Sequence, residues 1–346
     1  MPNKINIYLT HSPQSCMLYY GDQALAKLQA LGTIVRNKHD SEPSHEQILN
    51  EAGDCDVIVA FRQPSFPATL LEQLPRLAVL CRVAVDVSNI DIVAASRNGI
   101  LVTRATPGFG ASVAEWVIGV MIDLSRSISA SNAVYHEGRE PAVFMGRELR
   151  GATLGVIGYG TIGRYLCRLA QAFGMNIIVH DPNVDVDDVR IQQINFHDLL
   201  TKSDYVACLA PSLPDTVGLM NDAAFGLMKP SSFFINASRG ELVDEPALLH
   251  ALENGLIAGA ALDVGSEDDQ KPARQLAMHP LVIATPHIGG LTPEAATHQA
   301  MDSVRQLAQL VAGDAPDGAL NLGDAWRLNQ LRKRLAQPTQ EGTHAN

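Results

Sequence analysis

Residues Gly158-Tyr159-Gly160-Thr161-Ile162-Gly163 set three glycines in the spacing G-x-G-x-x-G, directly after the apolar run Thr153–Ile157. Apolar side chains at helical spacing follow (Ile162, Leu166, Leu169, Ala170, Phe173), and a second apolar run, 176–179, delivers Asp181, 18 residues past the last glycine. Each part has a physical job. Gly158 permits the tight strand-to-helix turn, Gly160 lets backbone approach a pyrophosphate, and Gly163 lets helix and strand pack closely. The helix N-terminus offers unpaired N–H groups to phosphates, and Asp181 can accept both ribose hydroxyls. Strand, glycines, helix, strand and acid in this order predict a dinucleotide site.

Three polar groups stand at the ends of later apolar runs. Arg239 follows Phe233-Phe-Ile-Asn-Ala-Ser238. Asp263 follows 258–262, with Glu267, Asp268 and Asp269 close behind, and His287 follows 281–286. Ligands of open parallel sheets bind at the carboxyl ends of strands. A cation, an acid cluster and an imidazole would therefore face a bound nicotinamide. Hydride transfer to a carbonyl needs that set, because the oxygen gains negative charge and a proton donor near neutral pKa helps. A carboxylate beside the imidazole orients it and raises its pKa. An Arg holds a substrate carboxylate with two parallel hydrogen bonds. Taken singly, each has a plainer use: a surface ion pair, a loop histidine, a solvated acidic loop. Their combination points to chemistry.

The elements that must position these residues alternate along the chain. Strand-like runs occur at 5–9, 57–60, 77–81 and 100–102, then at 153–157, 176–179, 205–209, 233–235, 258–262 and 281–284. Helical patterns occupy 23–31, 90–97, 244–253 and 293–310. This alternation predicts doubly wound parallel sheets, an α/β fold. The glycine motif begins its βαβ unit in mid-chain, so a separate α/β domain precedes it. A long helix near 107–129 is expected to connect the two, with Ser112 and Glu115 forming a capping box. The segment 135–151 reads as a polar, Gly-rich loop, and the polar tail 329–346 as a partly disordered or surface-bound end.

With 346 residues, 46% of them hydrophobic, two domains can each bury a core. A net charge of −11 without a basic cluster argues against nucleic acid. No apolar stretch approaches a membrane span, and Met1-Pro-Asn-Lys shows no signal pattern. The cysteines Cys16, Cys55, Cys81, Cys167 and Cys208 are scattered and odd in number, which fits buried thiols in a reducing cytoplasm. No Cys or His spacing suggests a metal.

The strings Leu154-Gly-Val-Ile-Gly-Tyr-Gly-Thr-Ile-Gly163, Asn236-Ala-Ser-Arg-Gly-Glu-Leu-Val-Asp244, Ala260-Ala-Leu-Asp-Val264 and Thr285-Pro-His-Ile-Gly-Gly290 resemble the D-2-hydroxyacid dehydrogenase family. So do Ser88-Asn-Ile-Asp91, Asn98-Gly-Ile100 and Ser112-Val-Ala-Glu115; the resemblance runs from about 57 to 313. It implies two Rossmann-like domains with a cleft between them: a discontinuous substrate-binding domain, 1–104 plus 290–346, and a dinucleotide-binding domain, 105–289. It implies NAD as cofactor, a homodimer, and hydride exchange with a small 2-keto or 2-hydroxy acid of glyoxylate, hydroxypyruvate or phosphoglycerate type. Arg239 would bind the substrate, His287 would be the acid/base, and an acid between them would orient it. Around the cofactor the resemblance gathers Gly158, Tyr159, Gly160, Thr161, Ile162, Gly163 and Asp181. It adds Ala210, Pro211, Thr216, Ala237, Ser238, Arg239, Asp263, His287 and Gly289. The backbone at Val83 and Ala84 would join Arg239 at the substrate, and by position alone Arg82 or Arg62 would give a further contact.

Two departures stand out. The family usually has Asp-Val-Phe-x-x-Glu-Pro where this chain has Asp263-Val-Gly-Ser-Glu-Asp-Asp269. Strict register makes Asp268 the acid partner, and a shift of one residue makes it Glu267 or Asp269. The family also tends to have R-x-G-x-G where Ala84 and Asp86 stand after Arg82. Two rival readings remain beside the main one. The first is a dinucleotide-sensing corepressor that binds a partner protein. The second is a dehydrogenase of another small anion, formate or phosphite; a formate enzyme would pair Gln with the His, and Gln270 is distantly placed for that.

Overall fold

The computed structural model describes residues 4–336. The chain divides into two compact units, one made of residues 1–108 and 293–346, the other of Phe109–Thr292.

In the first unit five parallel strands, β1 (Ile5–Leu9), β2 (Gly32–Arg36), β3 (Val57–Ala60), β4 (Val79–Arg82) and β5 (Leu101–Arg104), lie in the order β2-β1-β3-β4-β5. Alternation of side chains divides the strands between two cores. Ile7, Leu9, Val57 and Val59 pack with Leu28, Val304 and Leu307 on one face. Tyr8, Ile58, Ala60 and Leu80 pack with Ile48, Phe66 and Ala94 on the other. A strand buried on both faces reads as an unbroken apolar run, which is why β3 stands out in sequence.

The second unit carries seven parallel strands, β6 (Thr153–Ile157), β7 (Asn176–His180), β8 (Ile191–Gln193), β9 (Tyr205–Cys208), β10 (Phe233–Asn236), β11 (Gly259–Leu262) and β12 (Val282–Ala284). Their order is β12-β11-β10-β9-β6-β7-β8. The chain reverses direction of travel across the sheet between β6 and β9, the place where such sheets bind ligands. The helix Gly110–Arg126 lies against this sheet through Val113, Ala114, Val117 and Met121, beside Leu166 and Ala170 of Thr161–Ala172.

Four sequence expectations need correction. β2 and β8 were not visible, because both are sheet edges with mostly exposed residues and carry no continuous apolar signal. The helix expected near 107–129 runs over Gly110–Arg126. Its N-cap is Phe109, with no side-chain cap. Ser112 therefore lies inside the helix and hydrogen-bonds Thr292 Oγ1 at 2.8 Å instead of forming a capping box with Glu115. The start of the 135–151 segment belongs to a helix, Ile128–His136. In the tail, Trp326–Ala336 is helical and buries Leu328 and Leu331; residues 337–346 lie outside the described part. All five cysteines are buried and unpaired. Among the described residues no helix is long and apolar enough to cross a membrane.

Candidate active site

The glycine turn opens at the end of β6. Gly158 has φ 98°, which L side chains rarely adopt, and a Cβ there would stand 2.7 Å from Ala210 N beyond β9. Gly160 caps the helix Thr161–Ala172, and a Cβ on it would meet nothing within 4 Å. A Cβ on Gly163 would collide with the Gly158 carbonyl. One glycine makes the turn, one leaves the approach open, and one closes helix onto strand. Tyr159 is buried beneath the Arg164 guanidinium, 4.4 Å away. Thr161 is exposed and Ile162 half-buried in the first helical turn. Asp181, just past β7, accepts Tyr159 N–H on Oδ2 at 2.8 Å and Asn183 N–H on Oδ1 at 2.9 Å. The carboxylate is thus held at the mouth of the turn. The open approach at Gly160 and the free first turn of the helix fit a pyrophosphate.

The loops beyond β9 and β10 are tied together. Ser238 Oγ donates to the Ala210 carbonyl, and Ala237 N donates to Cys208 O at 3.4 Å. Thr216 closes its own loop, donating to Pro211 O at 2.7 Å and accepting from Leu213 N at 2.8 Å. Asn236, buried at the end of β10, donates to the Arg239 carbonyl at 3.0 Å and accepts from Ser238 N at 3.1 Å. Half-buried Arg239 leaves this clasp extended, its Nη1 donating to Ser238 O at 2.8 Å.

His287 stands on a loop organised by Asp263, which is only 3% exposed. Asp263 Oδ1 accepts from Thr285 Oγ1 at 2.6 Å and from Ile288 N at 2.8 Å; Oδ2 accepts from Gly289 N at 2.7 Å. The Asp263 carbonyl accepts His287 N–H at 2.9 Å. Four bonds hold His287 at φ 58°, a left-handed conformation that persists when surroundings enforce it. The imidazole Nδ1 lies 2.8 Å from the Asp269 main-chain carbonyl. The expected partner was a carboxylate; here a main-chain oxygen meets Nδ1. A carbonyl only accepts, so Nδ1 carries the hydrogen of the neutral ring and Nε2 is its unprotonated nitrogen. Glu267, Asp268 and Asp269 are exposed.

In the first unit, Arg82 needs correction as a substrate contact. It is wholly buried, donating to the Phe61 carbonyl, to Pro64 O at 3.0 Å and to Asn89 Oδ1 at 2.6 Å. Burial, countered by Asp86, lowers its pKa to about 10. Its donors hold the loops after β3 and β4. Val83 and Ala84 have buried side chains, and Val83 N donates to Ala60 O at 2.9 Å, so only main chain there can face a ligand. Arg62 is half-buried, and its carbonyl accepts Asn89 Nδ2 at 3.0 Å. Asn236 and Thr285 escaped sequence reading, and Gln270 was weighed only as a distant partner for His287. The one available signal was a polar residue closing an apolar run, as Asn236 does.

This is the geometry of a Rossmann-type dinucleotide domain, and residues 118–289 match the family model "D-isomer specific 2-hydroxyacid dehydrogenase, NAD binding domain". Through this domain the chain belongs to the D-isomer specific 2-hydroxyacid dehydrogenase family, and NAD is its cofactor. It is similar to D-3-phosphoglycerate dehydrogenase of Rattus norvegicus, 35% identical over 282 residues covering 80% of this chain and 53% of the relative. The enzyme of that name from Archaeoglobus fulgidus is 34% identical over 283 residues, covering 81% and 54%. The chain thus spans about half the length of the curated relatives it matches. Among solved structures, apo D-lactate dehydrogenase from Escherichia coli superposes with TM-score 0.79 at 25% identity, covering 91% of this chain and 99% of that one.

Proposed function

We propose that the chain is an NAD-dependent oxidoreductase that exchanges hydride with a small 2-keto or 2-hydroxy acid of D configuration. The glyoxylate, hydroxypyruvate and phosphoglycerate classes are its candidates. The observation that carries this reading is the fixed imidazole: Asp263 sets the loop, the Asp269 carbonyl sets the tautomer, and Nε2 is presented for proton exchange. The nicotinamide supplies or accepts the hydride. In reduction, His287 as imidazolium gives its Nε2 proton to the developing alkoxide, and in oxidation neutral Nε2 takes it back. Arg239 holds the substrate carboxylate and polarises the adjacent carbonyl. Asp181 accepts the ribose hydroxyls and repels a 2′-phosphate, so NAD(H) is preferred over NADP(H). Residues 1–104 with 290–346 form the substrate-binding domain, and 105–289 the dinucleotide-binding domain. Arg62 and the main-chain N–H of Ala84 are the added carboxylate contacts; the Val83 N–H is committed to Ala60 O. The protein works as a cytoplasmic homodimer, which light scattering on the purified protein checks. The deciding experiment is a panel of 2-keto acids with NADH and NADPH, read at the nicotinamide absorbance band. Turnover of none of them, or equal turnover with NADPH, overturns the respective claim.

A further inference from the structure

The segment that departs most from the family pattern builds a link between the two reacting side chains. A Cβ on Gly240 would collide with the Gly265 carbonyl, and one on Gly265 would stand 2.5 Å from Pro272 Cα. The turn after Arg239 therefore touches the acidic loop backbone to backbone. Gln270 fastens them. Its Oε1 accepts Gly240 N–H at 3.0 Å, its Nε2 donates to Glu241 Oε1 at 2.8 Å, and its carbonyl accepts Gly265 N–H at 2.8 Å. Asp269 and Gln270 are both left-handed, at φ 60° and 59°. Two successive non-glycine residues so placed cost roughly 1–2 kcal/mol each, and the three bonds offset that. The local result is the Asp269 carbonyl aimed at His287 Nδ1.

We propose that Gln270 is a positioning residue for the reaction: its amide ties the turn carrying Arg239 to the carbonyl that sets the His287 imidazole. The substrate clamp and the proton donor are then registered to each other through one side chain. This rests on the roles given above to Arg239 and His287.

Gln270→Met keeps the length and removes both side-chain bonds. It should lower kcat for reduction by about 10- to 100-fold, the usual result of sub-ångström misplacement, with NADH affinity within about 2-fold. The alkaline-side limit of the pH profile for reduction should move down, because an imidazolium without its acceptor loses its proton more easily. Gln270→Glu keeps the acceptor for Gly240 N–H but sets a carboxylate against Glu241. Two carboxylates that close share one proton, so this variant should recover activity as pH falls. Adding Glu241→Gln restores a donor and acceptor pair in reversed order. The double variant should regain wild-type turnover and lose the added pH dependence. Wild-type turnover and pH profile in Gln270→Met, or no rescue in the folded double variant, overturns the positioning role. Failure of the wild-type protein to reduce any keto acid overturns the functional reading instead.

Discussion

The glycine turn and the acidic loop are two strand-end devices of one sheet, and they work by opposite means. At the turn the important atoms are missing ones: no Cβ on Gly158, which would crowd Ala210, and none on Gly163, which would strike Gly158 O. Only one residue type can do that, so residue type is diagnostic. At the loop the important atoms are the Asp269 carbonyl, the Ile288 and Gly289 N–H groups and one amide. Main-chain groups belong to every residue, so many sequences could make the same arrangement. Chemistry that demands a residue type can be read from a sequence, and chemistry done by backbone is read from a structure.

The largest effect expected is at the product of the loop. His287→Asn should lower kcat by about 10²–10⁴ while leaving NADH binding nearly intact. Stopped-flow turnover and cofactor fluorescence titration check it. Near-normal turnover would make the loop a structural feature and the comparison empty. Next comes Asp263→Asn. The carboxylate accepts three hydrogen bonds from Thr285, Ile288 and Gly289. An amide in either orientation sets its NH₂ against a donor, leaving a buried group unsatisfied at about 1–3 kcal/mol. Turnover should fall about 10- to 100-fold, with a lower melting temperature. Normal turnover would mean the loop holds His287 without this anchor.

His11 sharpens the contrast from the other side, as a polar group that no device serves. It is 1% exposed at the end of β1 between Tyr20 and Phe61, and among the described residues neither ring nitrogen has a hydrogen-bond partner. Burial first, then the Arg82 guanidinium, pushes its pKa down to about 3. The unfolded chain titrates near 6.5. Below that pH the unfolded state takes a proton the folded state refuses, so stability falls as pH drops from about 6.5 towards about 3 and is flat above. At pH 5 the loss is about 2 kcal/mol, roughly 30-fold in the folding equilibrium. His11→Phe should remove it, as urea midpoints at pH 7 and pH 5 would show. An equal pH dependence in both proteins would mean a water satisfies the ring.

Asp181→Ala tests the turn. Two main-chain N–H groups hold the carboxylate where ribose hydroxyls would lie. Its loss should weaken NADH and raise relative use of NADPH about 10-fold. An unchanged cofactor ratio would remove Asp181 from the selective machinery.

Legibility follows the same division. Buried strands such as β3 and β9 announced themselves as apolar runs, and the edges β2 and β8 did not. Arg239, Asp263 and His287 could be picked out as polar residues closing such runs. What escaped was the use of each: Arg82 looked like a ligand contact and is a buried brace. Asp263 proved to be the anchor of the His287 loop. Gln270 was dismissed for its distance from His287, yet it acts through the carbonyl next to it. Register along a loop cannot reveal left-handed backbone at Asp269 and Gln270, since neither is glycine.

The smallest effect expected is at Asp268, the acid that strict family register selects. If a carboxylate oriented His287, removing its charge would lower the imidazolium pKa and shift the alkaline-side limit of reduction down. The partner at Nδ1 is instead the carbonyl of the next residue, which Asp268→Asn leaves in place. Asp268 is exposed, where solvent screens its field. Asn is also compatible with the first position of the short 3-10 turn Asp268–Gln270. Turnover should therefore stay within about 2-fold and the pH profile should not move. Paired pH–rate profiles of the wild-type protein and Asp268→Asn decide the matter. A strong loss with a lowered alkaline limit would restore the carboxylate partner, and with it the family's usual pairing. The loop would then differ from the glycine turn only in having a motif harder to align.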